Sequence, residues 1–534
     1  MAEPDNRNKM PEGVGTPPPA IELRHIDKRF GAVHANRDVS LSVTRGSITG
    51  IVGENGAGKS TLMSILYGVY EADRGEILID GKPVNIASSS DAIALGIGMV
   101  HQHFVLVDTF TVLENIMLGS EGGALLRRGA AAARYEVDRL EHEYGLGVDL
   151  DAVIADLPVG ALQRVEILKA LYRRARILIL DEPTGVLTPQ ETDQLFRILS
   201  ALRSRAVTII LITHKLREIM AATDAVYVMR AGAIVANLRT ADTEPAELAE
   251  LMVGRKVRLT LDKAAGNFGG PALVAEGLTL RDEHGVLRID NASFHVRTGE
   301  IVAIAGVSGN GQSELLEVLA GIRPPTGGRF TASGREVTAE TPCNPAEMRS
   351  IGVAHIPEDR HRLGLVTAFA ANESAILGYQ RDSVFSHYLL LIKQILMSHC
   401  AMLMERFDVR PRAPMLRSAN FSGGNQQKLI IARELAREPK VLLIGQPTRG
   451  VDIGSIEFIH RQLIQRREAG CAILLVSVEL DEVMALADRI LVMCGGRIVG
   501  DLLADQADER KLGLLMANAQ GREVSGAPGV GEAS

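Results

Sequence analysis

Two α/β domains in tandem are the fold that this 534-residue sequence predicts. Three observations carry the prediction. The chain repeats itself: GSITGIVGENGAGKSTLMSILYG, near residue 50, has a counterpart in GEIVAIAGVSGNGQSELLEVLAG, near residue 300, and ILILDEPTGVLTPQE is matched by VLLIGQPTRGVDIGS. Gly53 and Gly306 lie 253 residues apart, Asp181 and Gly445 264, so the second copy keeps the motif order with about eleven extra residues in its middle. A repeat of this length is a duplicated domain, not a solenoid unit. Within each copy, short runs of Ile, Val and Leu such as 177–180 and 207–212 alternate with longer amphipathic segments, the pattern of buried parallel strands. Finally, a glycine-rich loop stands between a strand-like run and a helix-like one.

The domain boundaries follow from the repeat. The first copy runs over 20–255 and the second over 271–515. A linker rich in Gly and charge near 262–270 joins them. The stretches 1–19 and 516–534 are polar or small-residue tails expected to be disordered. The opening MAEPDNRNKMPEGVGTPPPA lacks the apolar core of a signal peptide. A membrane span needs about eighteen uncharged apolar residues. The nearest stretch, Tyr388 to Met404, is interrupted by Lys393, Gln394, Ser398 and His399 and is expected to be a buried or amphipathic helix. Net charge is −7, which argues against electrostatic nucleic-acid binding. The four cysteines, Cys343, Cys400, Cys471 and Cys494, have neither CxxC spacing nor a disulfide framework and suit a reducing compartment.

The loop Gly53-Glu-Asn55-Gly56-Ala-Gly58-Lys59-Ser60-Thr61 fits G-x4-G-K-[ST]. Glycines let backbone N–H groups curl round phosphate oxygens, and the following helix adds the positive end of its dipole. Lys59 is expected to reach the terminal phosphates of a nucleotide, and the Ser60 hydroxyl to sit on Mg2+. Such a loop calls for a carboxylate-bearing strand, and Arg-Ile-Leu-Ile-Leu-Asp181-Glu182 supplies it. Asp181 at the strand end can hold Mg2+ through water, while Glu182 can orient and deprotonate an attacking water.

Further motifs narrow the class. Phe421-Ser422-Gly423-Gly424-Asn425-Gln426-Gln427 resembles the signature loop of ATP-binding-cassette (ABC) ATPases, Val100-His101-Gln102 their Q-loop, and Ile212-Thr213-His214 their switch histidine. Phe30 lies where such proteins stack an aromatic ring on adenine. The resemblance covers about 20–515. It implies tandem P-loop NTPase cassettes, each a mixed sheet core with a helical subdomain, that pair head to tail within the chain. Each ATP then lies between the P-loop of one cassette and the signature loop of the other.

That arrangement sorts the residues into two unequal sites. Site one has Phe30, Gly53 to Thr61, Gln102, Asp181, Glu182 and His214, completed by Ser422, Gly423, Gly424, Asn425 and Asp452 of the second copy. Glu182, His214, Gln102 and Lys59 would be its catalytic residues, and Ser60, Gln102 and Asp181 its metal ligands. Site two is damaged throughout. Gln312 replaces the P-loop Lys in Gly306-Val-Ser-Gly309-Asn-Gly311-Gln312-Ser313. Gly445 and Gln446 replace the acidic pair, Val478 the histidine, and Pro158 the signature serine. The losses are correlated by site rather than by copy.

Fused cassettes of this kind resemble the ATPase subunits of bacterial importers for nucleosides and monosaccharides. Such a subunit would hydrolyse ATP at the cytoplasmic face of the membrane, peripherally, with two transmembrane permease subunits and an extracytoplasmic solute-binding lipoprotein. Four segments lean toward the nucleoside branch: His101-Gln102-His103-Phe104, Leu187-Thr188-Pro189-Gln190-Glu191, Gly306 to Glu314, and Ile444-Gly-Gln446-Pro-Thr-Arg-Gly450. Pro158 departs from that branch, where Ser is usual, and Ile356-Pro357-Glu358-Asp359-Arg360-His361 does not discriminate. A monosaccharide importer stays open, as does a soluble tandem-cassette protein without permease, although the latter generally keeps two complete sites and basic extensions. The apolar residues Phe104, Val105, Leu106, Phe110, Val112 and Leu113 are expected either to transmit motion to the permease or simply to fill the core.

Overall fold

A computed structural model describes residues 18–31, 33–101, 104–120, 126–184, 187, 189–256, 263–307, 309–388 and 390–517. Two compact units part between Arg255 and Lys256. The tail expected at 1–19 lies outside the described residues apart from 18 and 19. Of the tail expected at 516–534, residues 516 and 517 close helix Glu509–Ala517, in which Leu512 and Met516 are buried, and the rest lies outside the described residues.

In the first unit a six-stranded sheet has Ile48–Gly53, Ile97–Val100, Ile177–Asp181, Thr208–Ile212 and Ala225–Arg230 in parallel, with Ala233–Arg239 antiparallel at one edge. Every residue of Ile177–Asp181 and Thr208–Ile212 is buried, as a strand covered on both faces requires. Alternation divides them. Ile177 and Ile179 join a core shared with a four-stranded antiparallel sheet and helix Lys59–Leu66, whereas Leu178 and Leu180 face the helices Val112–Met117, Leu126–Tyr144 and Val159–Tyr172.

The second unit repeats this order. Val353–Ile356, Val441–Gly445, Ala472–Ser477, Ile301–Ala305 and Arg489–Cys494 run parallel, with Arg497–Leu503 antiparallel, beside its own four-stranded antiparallel sheet. The register makes the duplication exact to the residue in the core strands. Ile97 pairs with Ile177 as Val353 pairs with Val441, so Gln102 corresponds to Glu358, Asp181 to Gly445 and His214 to Val478.

Three expectations are refined. The linker residues 263–270 are fastened to the second unit. Lys263 Nζ donates to the Ala487 carbonyl at 2.5 Å, Arg467 donates to the Ala264 carbonyl at 3.0 Å, and Arg297 and Arg467 both lie over the Phe268 ring. The stretch 388–404 resolves into a short strand, Leu390–Leu391, and helix Lys393–Arg406, whose Leu396, Cys400, Leu403 and Met404 are buried. No described helix is long and apolar enough to cross a membrane. The apolar residues after the Q-loop differ in burial. Val112 and Leu113 are core, while Val105 is 61% exposed and Phe110 36%.

Candidate nucleotide site

Strand Ile48–Gly53 delivers the chain to the loop, and helix Lys59–Leu66 leaves it. Gly58 holds φ +99°, a conformation that a side chain rarely adopts, and a Cβ there would strike the Ala35 carbonyl. The buried Asn36 amide donates to the Gly58 carbonyl at 3.1 Å and braces the turn from the antiparallel sheet. Asn55, Gly56 and Ser60 are exposed along the loop, and Thr61 is half-buried.

Lys59 is buried at the centre, its Nζ donating to the carbonyls of Gly53 (2.7 Å) and Glu54 (3.1 Å). Those bonds use two of the three ammonium hydrogens and leave one to meet a phosphate oxygen. Burial pushes its pKa below the ordinary lysine value, against the pull of Glu182, Asp181 and Glu54. Asp181 is also buried, and desolvation raises its carboxyl despite the nearby Ser60 hydroxyl and the charge on Lys59.

Glu182 follows at φ +48°, its N–H bound to the Ile212 carbonyl at 2.8 Å. Strained backbone at a strand end is the kind of feature that active sites retain. His214 Nδ1 lies 3.0 Å from Glu182 Oε1. A carboxylate can only accept, so this nitrogen carries the hydrogen and Nε2 is the one free to face a ligand. Burial would raise the Glu182 pKa, but the His214 bond and charge, with Lys59 and Lys215, outweigh it and hold the carboxyl below its ordinary value. The pair of adjacent acids is thereby split in character, Asp181 raised and Glu182 lowered. Phe30 ends strand Ile21–Phe30 with 42% exposure, edge-on to Tyr70 at 5.1 Å between ring centroids. Thus Lys59, Asp181, Glu182 and His214 converge. Gln102 lies outside the described residues.

The second unit keeps the backbone and changes the chemistry. Gln446 holds φ +47° with its N–H on the Val476 carbonyl at 2.8 Å, the same geometry as Glu182 without the charge. Gln312 is buried in the lysine position and donates to the Val307 carbonyl at 3.1 Å, as Lys59 does to that of Glu54. Its signature loop is well formed. Ser422 caps helix Gly423–Leu435, its Oγ accepting from the Asn425 N–H at 3.4 Å and from Asn425 Nδ2 at 2.8 Å. Gly424 is buried against Asp452 and Ser455, where a Cβ would collide with both side chains. Asp452 itself caps helix Ile453–Glu468 through the Ser455 N–H at 2.8 Å. In the first unit Pro158 occupies the equivalent cap of Val159–Tyr172 and offers no side-chain bond.

Sequence reasoning missed two contributors. Tyr70 joins Phe30 from a distant segment, and nothing local marks it. Glu358 accepts a hydrogen bond from Ser313 Oγ at 2.5 Å, and its place opposite Gln102 could have been found by aligning the two copies on their strand registers.

Comparison with known proteins agrees with the geometry. The ABC transporter family matches residues 36–185 and 289–449. The chain is 45% identical to the nucleoside import ATP-binding protein NupA of Lactococcus lactis subsp. cremoris, over 93% of this chain and 97% of that protein. It is 46% identical to the guanosine import ATP-binding protein NupO of Bacillus subtilis, over 95% and 99%. With the glucose import ATP-binding protein TsgD13 of Haloferax volcanii the identity is 42% over 93% and 96%. In fold alone, it is similar to a chain in the crystal structure of archaeal ribosomal stalk protein aP1 with the archaeal ribosome recycling factor aABCE1, with a TM-score of 0.58 at 18% identity over 90% of each chain. With two cassettes, each matched by the family, and relatives that match over nearly the whole chain, the chain belongs to the ABC transporter family as an ATP-hydrolysing subunit.

Proposed function

We propose that this ATPase drives the import of nucleosides, hydrolysing ATP at one composite site. The observation that carries the single site is the contrast between the two cores. Lys59, Asp181, Glu182 and His214 converge in the first unit, and Gln312, Gly445, Gln446 and Val478 stand at the same register in the second. The signature residues Ser422, Gly423, Gly424 and Asn425, with Asp452, complete the first core when the cassettes pair. The reading is supported by the capped Ser422 helix set against Pro158.

Each residue then has a task. Phe30 stacks on adenine, with Tyr70 backing it. Backbone N–H groups of Gly53, Asn55, Gly56, Gly58 and Thr61, with Lys59, cradle the phosphates. Glu182, ionised and aimed by His214, takes the proton of the attacking water, and His214 Nε2 steadies the terminal phosphate. Ser60 and Asp181, with Gln102, fit a magnesium ion: an exposed hydroxyl stands beside a carboxyl that burial leaves short of compensating charge. When bound, the ion neutralises phosphate charge.

Preference for nucleosides rests on the four motif segments named above and on the nucleoside and guanosine import relatives. The glucose import relative keeps a monosaccharide as the second reading. The partners are two transmembrane permease subunits and an extracytoplasmic solute-binding lipoprotein, and the chain works peripherally at the cytoplasmic face of the membrane. Exposed Phe110, together with exposed Val105 at a cavity of about 270 Å3 lined also by Tyr67, Met99, His101 and Arg173, is the surface offered to the permease. The test is co-purification from membranes, followed by identification of the ligand on the associated binding protein. Nucleosides are expected. A sugar would move the assignment to the second reading, and absence of any membrane subunit would overturn both.

A further inference from the structure

In the second unit the P-loop serine is held by a carboxylate from an unexpected quarter. Ser60 of the first unit lies near Asp181, at the end of strand Ile177–Asp181, close enough to offset part of the cost of burying its carboxylate. Ser313 donates instead to Glu358, two residues beyond strand Val353–Ile356, at the register of Gln102. The exchange is sterically matched, since a Cβ at Gly445, where the first unit has Asp181, would fall on Glu358 Cγ. The carboxylate comes from the end of the adjacent strand instead, and its side chain fills the space that a side chain at 445 would take.

Glu358 opens a short segment that reaches the signature region. Asp359 caps the turn Arg360–Gly364, accepting from the N–H groups of His361 (2.9 Å) and Arg362 (3.1 Å). His361 Nε2 meets Gln426 Oε1 at 2.9 Å, and Gln426 is on the signature helix. Arg360 donates to the Arg449 carbonyl at 2.9 Å in the loop that leads to Asp452, and its guanidinium lies against Gly423 and Gly450. Arg433 Nη1, farther along that helix, bonds the Gly364 carbonyl at 2.8 Å. Hydrogen bonds anchored on the covalent segment 358–364 therefore tie Ser313 in the degenerate P-loop to the signature helix and the Asp452 loop. All of it lies within one unit.

We propose that Glu358 is a positioning residue that takes the place of a bound nucleotide at the second P-loop and holds the signature helix in working position whether or not nucleotide is present there. Here the Q-loop position carries its own anion, already seated on the P-loop hydroxyl. Glu314 adds a second carboxylate where the first P-loop has Thr61, near enough to Glu358 for the two to repel, and an incoming phosphate would meet the same repulsion. The second cassette is in this sense permanently switched on, and its signature serves the first core as a fixed part. The inference rests on the composite-site reading of the proposed function.

The test uses the full chain in its membrane complex and five variants. Glu358→Ala and Ser313→Ala are expected to lower kcat about tenfold or more each, and the double variant no further, because both break one link. Glu358→Gln, whose amide oxygen can still accept from Ser313, is expected to recover most of the rate. Binding of a fluorescent ATP analogue to the first P-loop stays within about twofold throughout. Hydrogen exchange over 422–435 is slow in the parent chain with or without nucleotide and fast in Glu358→Ala, a readout that does not depend on turnover. Ser422→Ala separates the two levels. If Ser422→Ala lowers kcat while Glu358→Ala changes neither kcat nor exchange, the strut is wrong and the composite site stands. If Ser422→Ala is without effect, the composite reading itself fails. Nucleotide-dependent protection of 422–435 in the parent, abolished by Ser313→Ala, would show an ordinary nucleotide-sensing P-loop and overturn the proposal.

Discussion

Replacing Glu182 with Gln isolates the charge of one carboxylate. The amide has nearly the same volume, can keep the Ile212 carbonyl bond through its own N–H, and still presents an oxygen to His214 Nδ1 at the 3.0 Å contact. What disappears is the base. Glu182 is held below its ordinary pKa by His214 and Lys59, so at neutral pH it is ionised and ready to accept a proton, and an amide cannot. General-base removal costs about 10^2–10^4-fold, or about 2.7–5.4 kcal/mol of barrier. Ground-state affinity moves the other way, since a negative charge beside the triphosphate is deleted. In the assembled complex, steady-state ATPase should therefore fall by that range while analogue binding is equal or tighter. A kcat within about threefold of the parent would refute the assignment of the base. Simultaneous loss of binding would mean that the substitution had broken the loop instead.

The acid limb of the kcat profile should lie below the usual glutamate range, because a depressed pKa keeps Glu182 ionised as pH falls. His214→Ala removes the depressing partner and leaves burial dominant, so that limb should move to higher pH, measured as kcat against pH in the complex. Gln312→Ala, in the degenerate loop, should leave turnover within about twofold, and a tenfold loss would mean that the second core takes part in the chemistry. Asp488 accepts a two-pronged contact from Arg467 at 2.8 Å for each bond, nearly all of it buried, and also takes the Ile301 N–H. Asp488→Asn should destabilise the second unit by about 3–5 kcal/mol, seen as a lowered unfolding transition with faster exchange over 263–270. Phe110→Asp should abolish co-purification with the permease and spare analogue binding, whereas Val112→Asp, placed in the core, should impair folding.

The duplication, the parallel strands and the first phosphate loop were legible because each is written in consecutive residues. Ile177 to Leu180 alternates between two buried layers, and a run apolar at every position is how a doubly covered strand looks in sequence. Lys59, Asp181, Glu182 and His214 were legible as types at the right order along the chain. Their convergence is a matter of strand register, which folding alone brings about. The roles of Val105 and Val112 could not be separated in sequence. Both are apolar, and only the helix Val112–Met117 turns one inward and leaves the other outside. Glu358 was visible as a letter but not as the partner of Ser313, because the contact joins residues 45 positions apart and stands in for an acid that is missing elsewhere. The extent of the last helix was missed because the Gly- and Ala-rich end of the chain obscured the burial of Met516.

The central claim, one working site assembled from the first core and the second signature, is tested most directly by counting nucleotides trapped with vanadate in the assembled complex. The account predicts one per chain, lost in Lys59→Ala and in Ser422→Arg and kept in Gln312→Ala. Two per chain, or trapping indifferent to Ser422→Arg, would contradict it.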